Sequence, residues 1–282
     1  MSTPDLVPEL ELGGQAPLAI VAVPVAAAAA LGALAASPAR ARPSFLLWDL
    51  PLRVFHWSLV ACVTAAVVTG ELGGAWMPWH GRAGLAIVGL LAFRIVWGVV
   101  GPPTARFAGF APTPRRVLDY VRGRWRGIGH NPLGALAVFA LLGLLALQAG
   151  TGLFGNDDIA FTGPLNRFVD DALGARLTGW HRIAADGLFV LLALHLGAIA
   201  FHVLVKRHLL VRPMVTGRAP LEPGVVPPAS QTRVRGALAL AVGAAAVAVG
   251  AIAWAGREPA STPSVARAVA PVAKEAPAAP AW

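Results

Sequence analysis

The sequence predicts an all-α integral membrane protein: a four-helix transmembrane bundle with an additional C-terminal transmembrane helix and a candidate N-terminal one. Three observations predict it. Of 282 residues, 56% are hydrophobic and only 13% charged, with mean hydropathy +0.65, a composition that a water-soluble domain does not carry. Uncharged runs of bilayer-spanning length recur along the chain. The formal net charge of +9 is concentrated in the short segments between those runs, so the basic residues orient the protein against membrane lipid and give no reason to expect a nucleic-acid partner. A single cysteine, Cys62, lies in an apolar run; this excludes a disulfide framework and predicts a buried, inert thiol.

Residues 1–43 form an N-terminal extension, disordered or a weak extra helix. Within it Ala16–Ala36 is uncharged and Ala-rich, but Pro17 and Pro24 interrupt it, and Asp5, Glu9 and Glu11 precede it where a signal peptide has a basic region. Residues 44–213 carry the core, with spanning runs near Val54–Thr69, Leu85–Val100, Leu133–Phe154 and Gly187–Val205. Backbone in lipid must satisfy its own hydrogen bonds, so each run is read as a helix. Asn131-Pro132 reads as a cap and first turn for the third. Residues 214–235 read as a cytoplasmic linker, 236–256 as the extra helix (Gly236–Ala255), and 257–282, rich in Ala and Pro, as a disordered tail.

Arginine and lysine set the topology. Arg106, Arg115, Arg116, Arg122, Arg124 and Arg126 follow the second run against one acid, Asp119, and Lys206, Arg207, Arg212 and Arg218 follow the fourth. Both connections are therefore cytoplasmic. The connections Glu71–Trp79 and Gly155–Trp180 face outward, the latter with Asp157, Asp158, Asp170 and Asp171 against Arg167 and Arg176. Trp76, Trp79 and Trp180 then belong to an outer aromatic belt and Trp48 and Trp97 to an inner one.

Histidines inside a membrane are functional candidates, because an ionisable or metal-ligating group there is costly unless the bundle uses it. His181 and His195 are fourteen residues apart, a rise of about 21 Å with a return to within roughly 40° of the starting direction. Both face one side of the fourth helix at two depths. His80, opening the second helix, shares the outer level with His181, and His56, near the inner end of the first, shares the inner level with His195. Two irons, each between two imidazoles, fit this arrangement, and a bis-imidazole haem has electron transfer as its natural chemistry. Gly70, Gly84, Gly89 and Gly187 would leave room for a macrocycle. No Cys-x-x-Cys-His motif is present, so haem would be bound without covalent attachment.

Several alternatives stay open at this level. His202, seven residues beyond His195 and within roughly 20° of it, rivals His195 by depth, and is otherwise a candidate for quinone or proton exchange or a snorkelling interfacial side chain. Arg94 either snorkels to the interface or, at the inner level, pairs with a haem propionate or serves the same exchange site. Arg53, near His56, is the second propionate candidate. His130 and His208 lie in basic segments and are expected in solvent. A different class, a non-redox membrane anchor or a metal transporter using the same histidines, is disfavoured by the scarcity of acids in the spans.

Taken together, Asp49 through His56-Trp57, Trp79-His80-Gly81-Arg82-Ala83-Gly84, Phe93-Arg94 through Trp97, Ala105-Arg106-Phe107, Gly129 through Gly134, and Trp180-His181 through His195 to His202 resemble the prokaryotic cytochrome b561 family, which includes the cytochrome b subunits of membrane-bound nickel-iron hydrogenases. The resemblance spans Phe45–Pro213. It implies a four-helix inner-membrane bundle with two haem b groups, exchanging electrons between the quinone pool and a redox partner, either a c-type cytochrome or a dehydrogenase. By position it makes His56 and His195 the ligands of the inner haem and His80 and His181 those of the outer, and it favours His195 over His202. The extension, fifth helix and tail lie outside the family core and leave the partner open.

Overall fold

Asp49 starts the bundle: its carboxylate accepts the Leu52 N–H at 2.8 Å and caps helix α1, Leu50–Leu72, with Pro51 in the first turn. In the computed structural model, residues 43–159, 161–208, 210–221 and 234–257 are described. The expected Ala16–Ala36 helix, the tail beyond 257 and most of the linker lie outside them. After Gly73, at φ 61°, a single 3-10 turn reverses the chain into α2, Met77–Val100. Two short helices, α3 (Phe107–Phe110) and α4 (Pro114–Val121), fill the Arg-rich connection. Asn131 caps α5, Pro132–Phe154, through the Gly134 N–H at 2.7 Å, with Pro132 opening the helix as expected. Asp170 caps α6, Asp171–Ala200, which continues as a π turn over Phe201–Val205. Helix α7 (Val211–Thr216) and α8 (Val234–Ala255) complete the chain. A small antiparallel pair, β1 (Ser44–Leu46) and β2 (Arg218–Pro220), clasps the two ends of the core, Phe45 opposite Ala219.

Five helices have the length and apolar character to cross a membrane, the four core spans and α8. Exposed Ile95, Val190, Leu194, Val247 and Trp254 are the side chains such helices present to lipid. Close backbone approach joins α1 to α2, α5 to α6 and α2 to α8, with a looser contact between α2 and α5. The bundle is thus two helical hairpins held partly apart. Glycine sets one of these approaches: a Cβ on Gly89 would meet Val249 at 2.8 Å, so Gly89 seats α8 against α2 rather than leaving space for a macrocycle. Gly187 likewise faces Leu144 at 3.5 Å.

Two apolar clusters hold the hairpins. At the Arg-rich end, called inner from the charge rule, Trp48, Leu52, Phe55, Phe93 and the wholly buried Trp97 pack together; nearer the other end are Val63, Ile87, Leu91, Leu145 and Leu188. Trp48 and Trp97 are therefore core residues and not an interfacial belt. The Trp97 indole N–H explains its place, donating to the Asp49 carboxylate at 3.3 Å and so tying α2 to the cap of α1. Trp76, Trp79 and Trp180 are exposed as expected. The structure also moves one boundary. Helix α6 begins ten residues before His181, so its 30 residues, about 45 Å long, exceed the roughly 30 Å hydrocarbon thickness.

Candidate haem sites

Between the hairpins lies a cavity of about 490 Å³ lined by residues of α1, α2, α5 and α6, with His80 and His181 both on its wall. Ligand pockets of roughly 300–1,000 Å³ are typical for small molecules and cofactors. The two imidazoles stand with ring centroids 5.9 Å apart and planes at 78°. Two imidazoles on opposite sides of one metal, at nitrogen distances of about 2.0–2.1 Å, have centroids about 6 Å apart, so these two rings would be able to hold one metal ion between them.

The backbone orients both rings. His80 Nδ1 lies 2.8 Å from the carbonyl of Ala66 on α1, and His181 Nδ1 lies 2.8 Å from the carbonyl of Gln148 on α5. A carbonyl only accepts, so each Nδ1 carries the proton and each Nε2 keeps the lone pair a metal takes. The Gln148 side-chain amide sits 3.0 Å from His181 Nε2. Each ring also has a glycine under it. A Cβ on Gly70 would fall 2.9 Å from His80 Nδ1, and one on Gly152 would fall 2.9 Å from His181 Cε1. Gly70 and Gly84 line the cavity as expected. Gly152 is a cradle that the sequence reading missed, since a glycine in an apolar helix gives no sign of the ring packed on it.

A loop closes the cavity at this end. Asp157 accepts the Ile159 and Phe161 N–H groups at 3.0 and 2.8 Å, which folds Phe161 back onto His80, edge to face at 6.1 Å, and against Gly81. The loop is fastened to the fifth helix, where Arg167 donates to the Arg257 carbonyl at 2.6 Å.

The inner end is built differently. His56 and His195 are within direct electrostatic range of each other, yet His56 Nδ1 is buried without a hydrogen-bond partner, as is His202 Nδ1. His202 lies in the π turn, which breaks the regular rotation assumed from α-helical spacing, and its ring stacks at 5.8 Å on exposed His208. Arg94 does not snorkel. It is 3% exposed, with its guanidinium 4.3 Å above the Phe107 ring, and Nη1 has no partner. Arg53 donates from Nη1 to the Val215 carbonyl at 2.5 Å, while its Nε is unpaired. His130 is not in bulk solvent either. Its ring is held between Trp48 and Phe110, each with centroids 4.6 Å away, and Nδ1 is sequestered. Burial first, then the charges of Arg94 and His56, push its pKa down from 6.5 to about 4. Asp49 is pushed above the ordinary carboxylate range by burial, against the opposing effect of its bonds to Leu52 and Trp97.

A family model described as prokaryotic cytochrome b561 matches residues 47–217. The chain belongs to this family. It is 26% identical over 220 residues to the probable Ni/Fe-hydrogenase B-type cytochrome subunit of Azotobacter chroococcum mcd 1, covering 63% of this chain and 89% of that one. It is 24% identical over 179 residues to the probable Ni/Fe-hydrogenase 1 B-type cytochrome subunit of Escherichia coli (strain K12), covering 50% and 75%. No solved structure matches. The matched segment contains all four paired histidines, and membership brings haem b and membrane electron transfer as the class of cofactor and of work. The fifth helix, α8, lies beyond the match.

Proposed function

We propose that this protein is a two-haem b-type cytochrome of the bacterial inner membrane, carrying electrons between the quinone pool and a redox partner. The observation that carries the reading is the His80–His181 pair, 5.9 Å apart on one cavity with both Nδ1 protons committed to backbone carbonyls. His80 and His181 would hold the outer haem, and His56 and His195 the inner, with His195 preferred to His202 because it stays in the regular α6 helix within electrostatic range of His56, whereas His202 lies in the π turn stacked on His208. A haem b between two imidazoles supplies one-electron transfer and leaves no open coordination position for oxygen.

The protein's own residues fix imidazole tautomers, exclude water with the Phe161 loop, and hold Arg94 and Arg53 beside the inner site. His202, in its π turn beside the basic segment, is suited to exchanging a proton with quinone at that end. Of the two partner classes, the names of the relatives favour a dehydrogenase of the Ni/Fe-hydrogenase kind over a c-type cytochrome. The metal-transporter alternative gains no support: among the described residues no group of three or more His, Cys, Asp or Glu is placed to hold a metal ion.

A redox-titrated optical spectrum combined with a pyridine haemochrome assay tests the reading. The expected result is two acid-acetone-extractable protohaems per chain, both low-spin, with two resolvable midpoints. A haem-free protein, a covalently held haem, or a single haem per chain would overturn it.

A further inference from the structure

The inner end contains an unusual set of buried hydrogen-bond donors. Arg94 Nη1 and His130 Nδ1 are both closed off from water and both without a partner. They converge on one aromatic ring: the His130 centroid lies 4.6 Å, and the Arg94 guanidinium carbon 6.0 Å, from the centre of Phe110. An unsatisfied buried polar group costs about 1–3 kcal/mol, more when charged, and is rare in folded proteins. Two around one ring and within electrostatic range of each other, one of them a cation, call for an anionic acceptor.

The nearby carboxylate acts on Arg94 only through space: Asp49 Oδ1 accepts the Leu52 N–H and Oδ2 the Trp97 indole N–H, and no hydrogen bond joins it to Arg94. It is also not among the ion pairs of the described residues, of which Arg124–Asp119 is the one formed. No described residue supplies the acceptor.

We infer that His130 and Arg94 together form the binding site for a propionate carboxylate of the inner haem, His130 acting as a positioning residue. The inference rests on the two-haem reading above. His130 suits the role for a reason the sequence concealed. It precedes the Asn131 cap, so it is fixed at the start of α5, and the Trp48–His130–Phe110 stack holds the imidazole in place. A rigid donor loses little side-chain freedom when it binds a carboxylate. A donor and a cation on the propionate also neutralise negative charge near the iron, which favours the reduced state.

The test uses the purified full-length holoprotein, with both haems titrated by potential. His130→Phe preserves a ring in the aromatic stack and removes the donor; His130→Gln does the reverse. His130→Phe should retain both haems and disfavour reduction of the inner one about tenfold, 59 mV for a one-electron couple, leaving the outer midpoint in place. His130→Gln should recover most of that shift. An unchanged inner midpoint in His130→Phe, equal shifts at both haems, or a larger defect in His130→Gln than in His130→Phe would overturn the inference.

A second arm removes the carboxylate instead of the donor. Haem-free wild type and His130→Phe are loaded with the dimethyl ester of haem b, and inner-site retention and midpoint are compared. The ester keeps a carbonyl acceptor but loses the charge, so the difference between the two proteins should shrink to a minor part of that seen with the natural haem. A difference of undiminished size with the ester means that another anion is the acceptor and overturns the assignment. Failure of the underlying reading shows separately, as fewer than two haems in the wild type.

Discussion

The two ends of the bundle present their histidines in opposite ways. At the outer end each imidazole is already committed: its Nδ1 proton is on a carbonyl and a glycine lies beneath it, while Phe161 covers one edge of His80. At the inner end the histidine and arginine donors are unpaired, with Arg94 Nη1, His56 Nδ1, His130 Nδ1 and Arg53 Nε all buried without partners. The outer site is organised by backbone. The inner site is organised around polar nitrogens that no described residue hydrogen-bonds. In such a pair, the outer haem depends on ring placement and the inner haem on electrostatics, and that difference can be broken by experiment.

The largest effect is expected from the ligands. His80→Ala or His181→Ala should remove the outer haem alone, and His56→Ala or His195→Ala the inner alone, each leaving one haem per chain by pyridine haemochrome. The comparison fails if His202→Ala abolishes the inner haem while His195→Ala leaves both low-spin. Next come the glycine cradles. A side chain at Gly70 or Gly152 intrudes on an imidazole at 2.9 Å, so Gly70→Val and Gly152→Val should lower outer-haem occupancy about tenfold or more without changing the inner haem. Gly150→Ala, on α5 but off the cavity wall, where a Cβ meets nothing within 4 Å, is the control, and equal loss there would mean that the helix, not the ring, was disturbed.

This asymmetry also decided how much was legible in the sequence. Spans and the Asn131-Pro132 cap follow from hydropathy and from capping chemistry, and they emerged where expected. The start of α6 did not, because its first ten residues are only moderately apolar, contain Arg176 and begin at the acidic pair Asp170-Asp171, a composition that reads as loop. Trp48 and Trp97 were misplaced because an aromatic belt and an aromatic core share one composition; the Asp49 carboxylate that draws Trp97 inward lies 48 residues away. The π turn at His202 and the burial of His130 are products of tertiary packing, invisible to periodicity.

A pH experiment separates the loaded inner site from the empty one. In the haem-free protein the His130 pKa is about 4 against an ordinary 6.5, so the unfolded chain binds more protons between those values. Its contribution to stability is fully present above pH 6.5 and is lost as pH falls through 4, at most about 3 kcal/mol. Thermal unfolding of haem-free protein should therefore weaken across that window, and His130→Phe should flatten the slope. With the haem bound, a propionate beside the ring favours the imidazolium, and the same window should lose much of its slope. An identical slope in both forms would show that no anion reaches His130.

The smallest and most specific effect concerns Arg94. A guanidinium 3% exposed, resting on Phe107 at 4.3 Å with Nη1 unpaired, is a fixed positive charge in a region of low dielectric. Removing it takes away charge that favours the reduced iron, so Arg94→Leu should lower the inner midpoint. The outer haem is sheltered by distance, since Arg94 is fourteen residues along α2 from His80, about 21 Å of helix. A shift of about threefold to tenfold in the reduction equilibrium, up to 59 mV for one electron, is expected at the inner haem and almost none at the outer. Arg94→Lys retains the charge and loses the planar fork, so it should recover the midpoint more fully than it recovers haem retention. Equal shifts at both haems, or none at either, would make Arg94 a cation held by Phe107 for packing alone, and the electrostatic account of the inner end would fall with it.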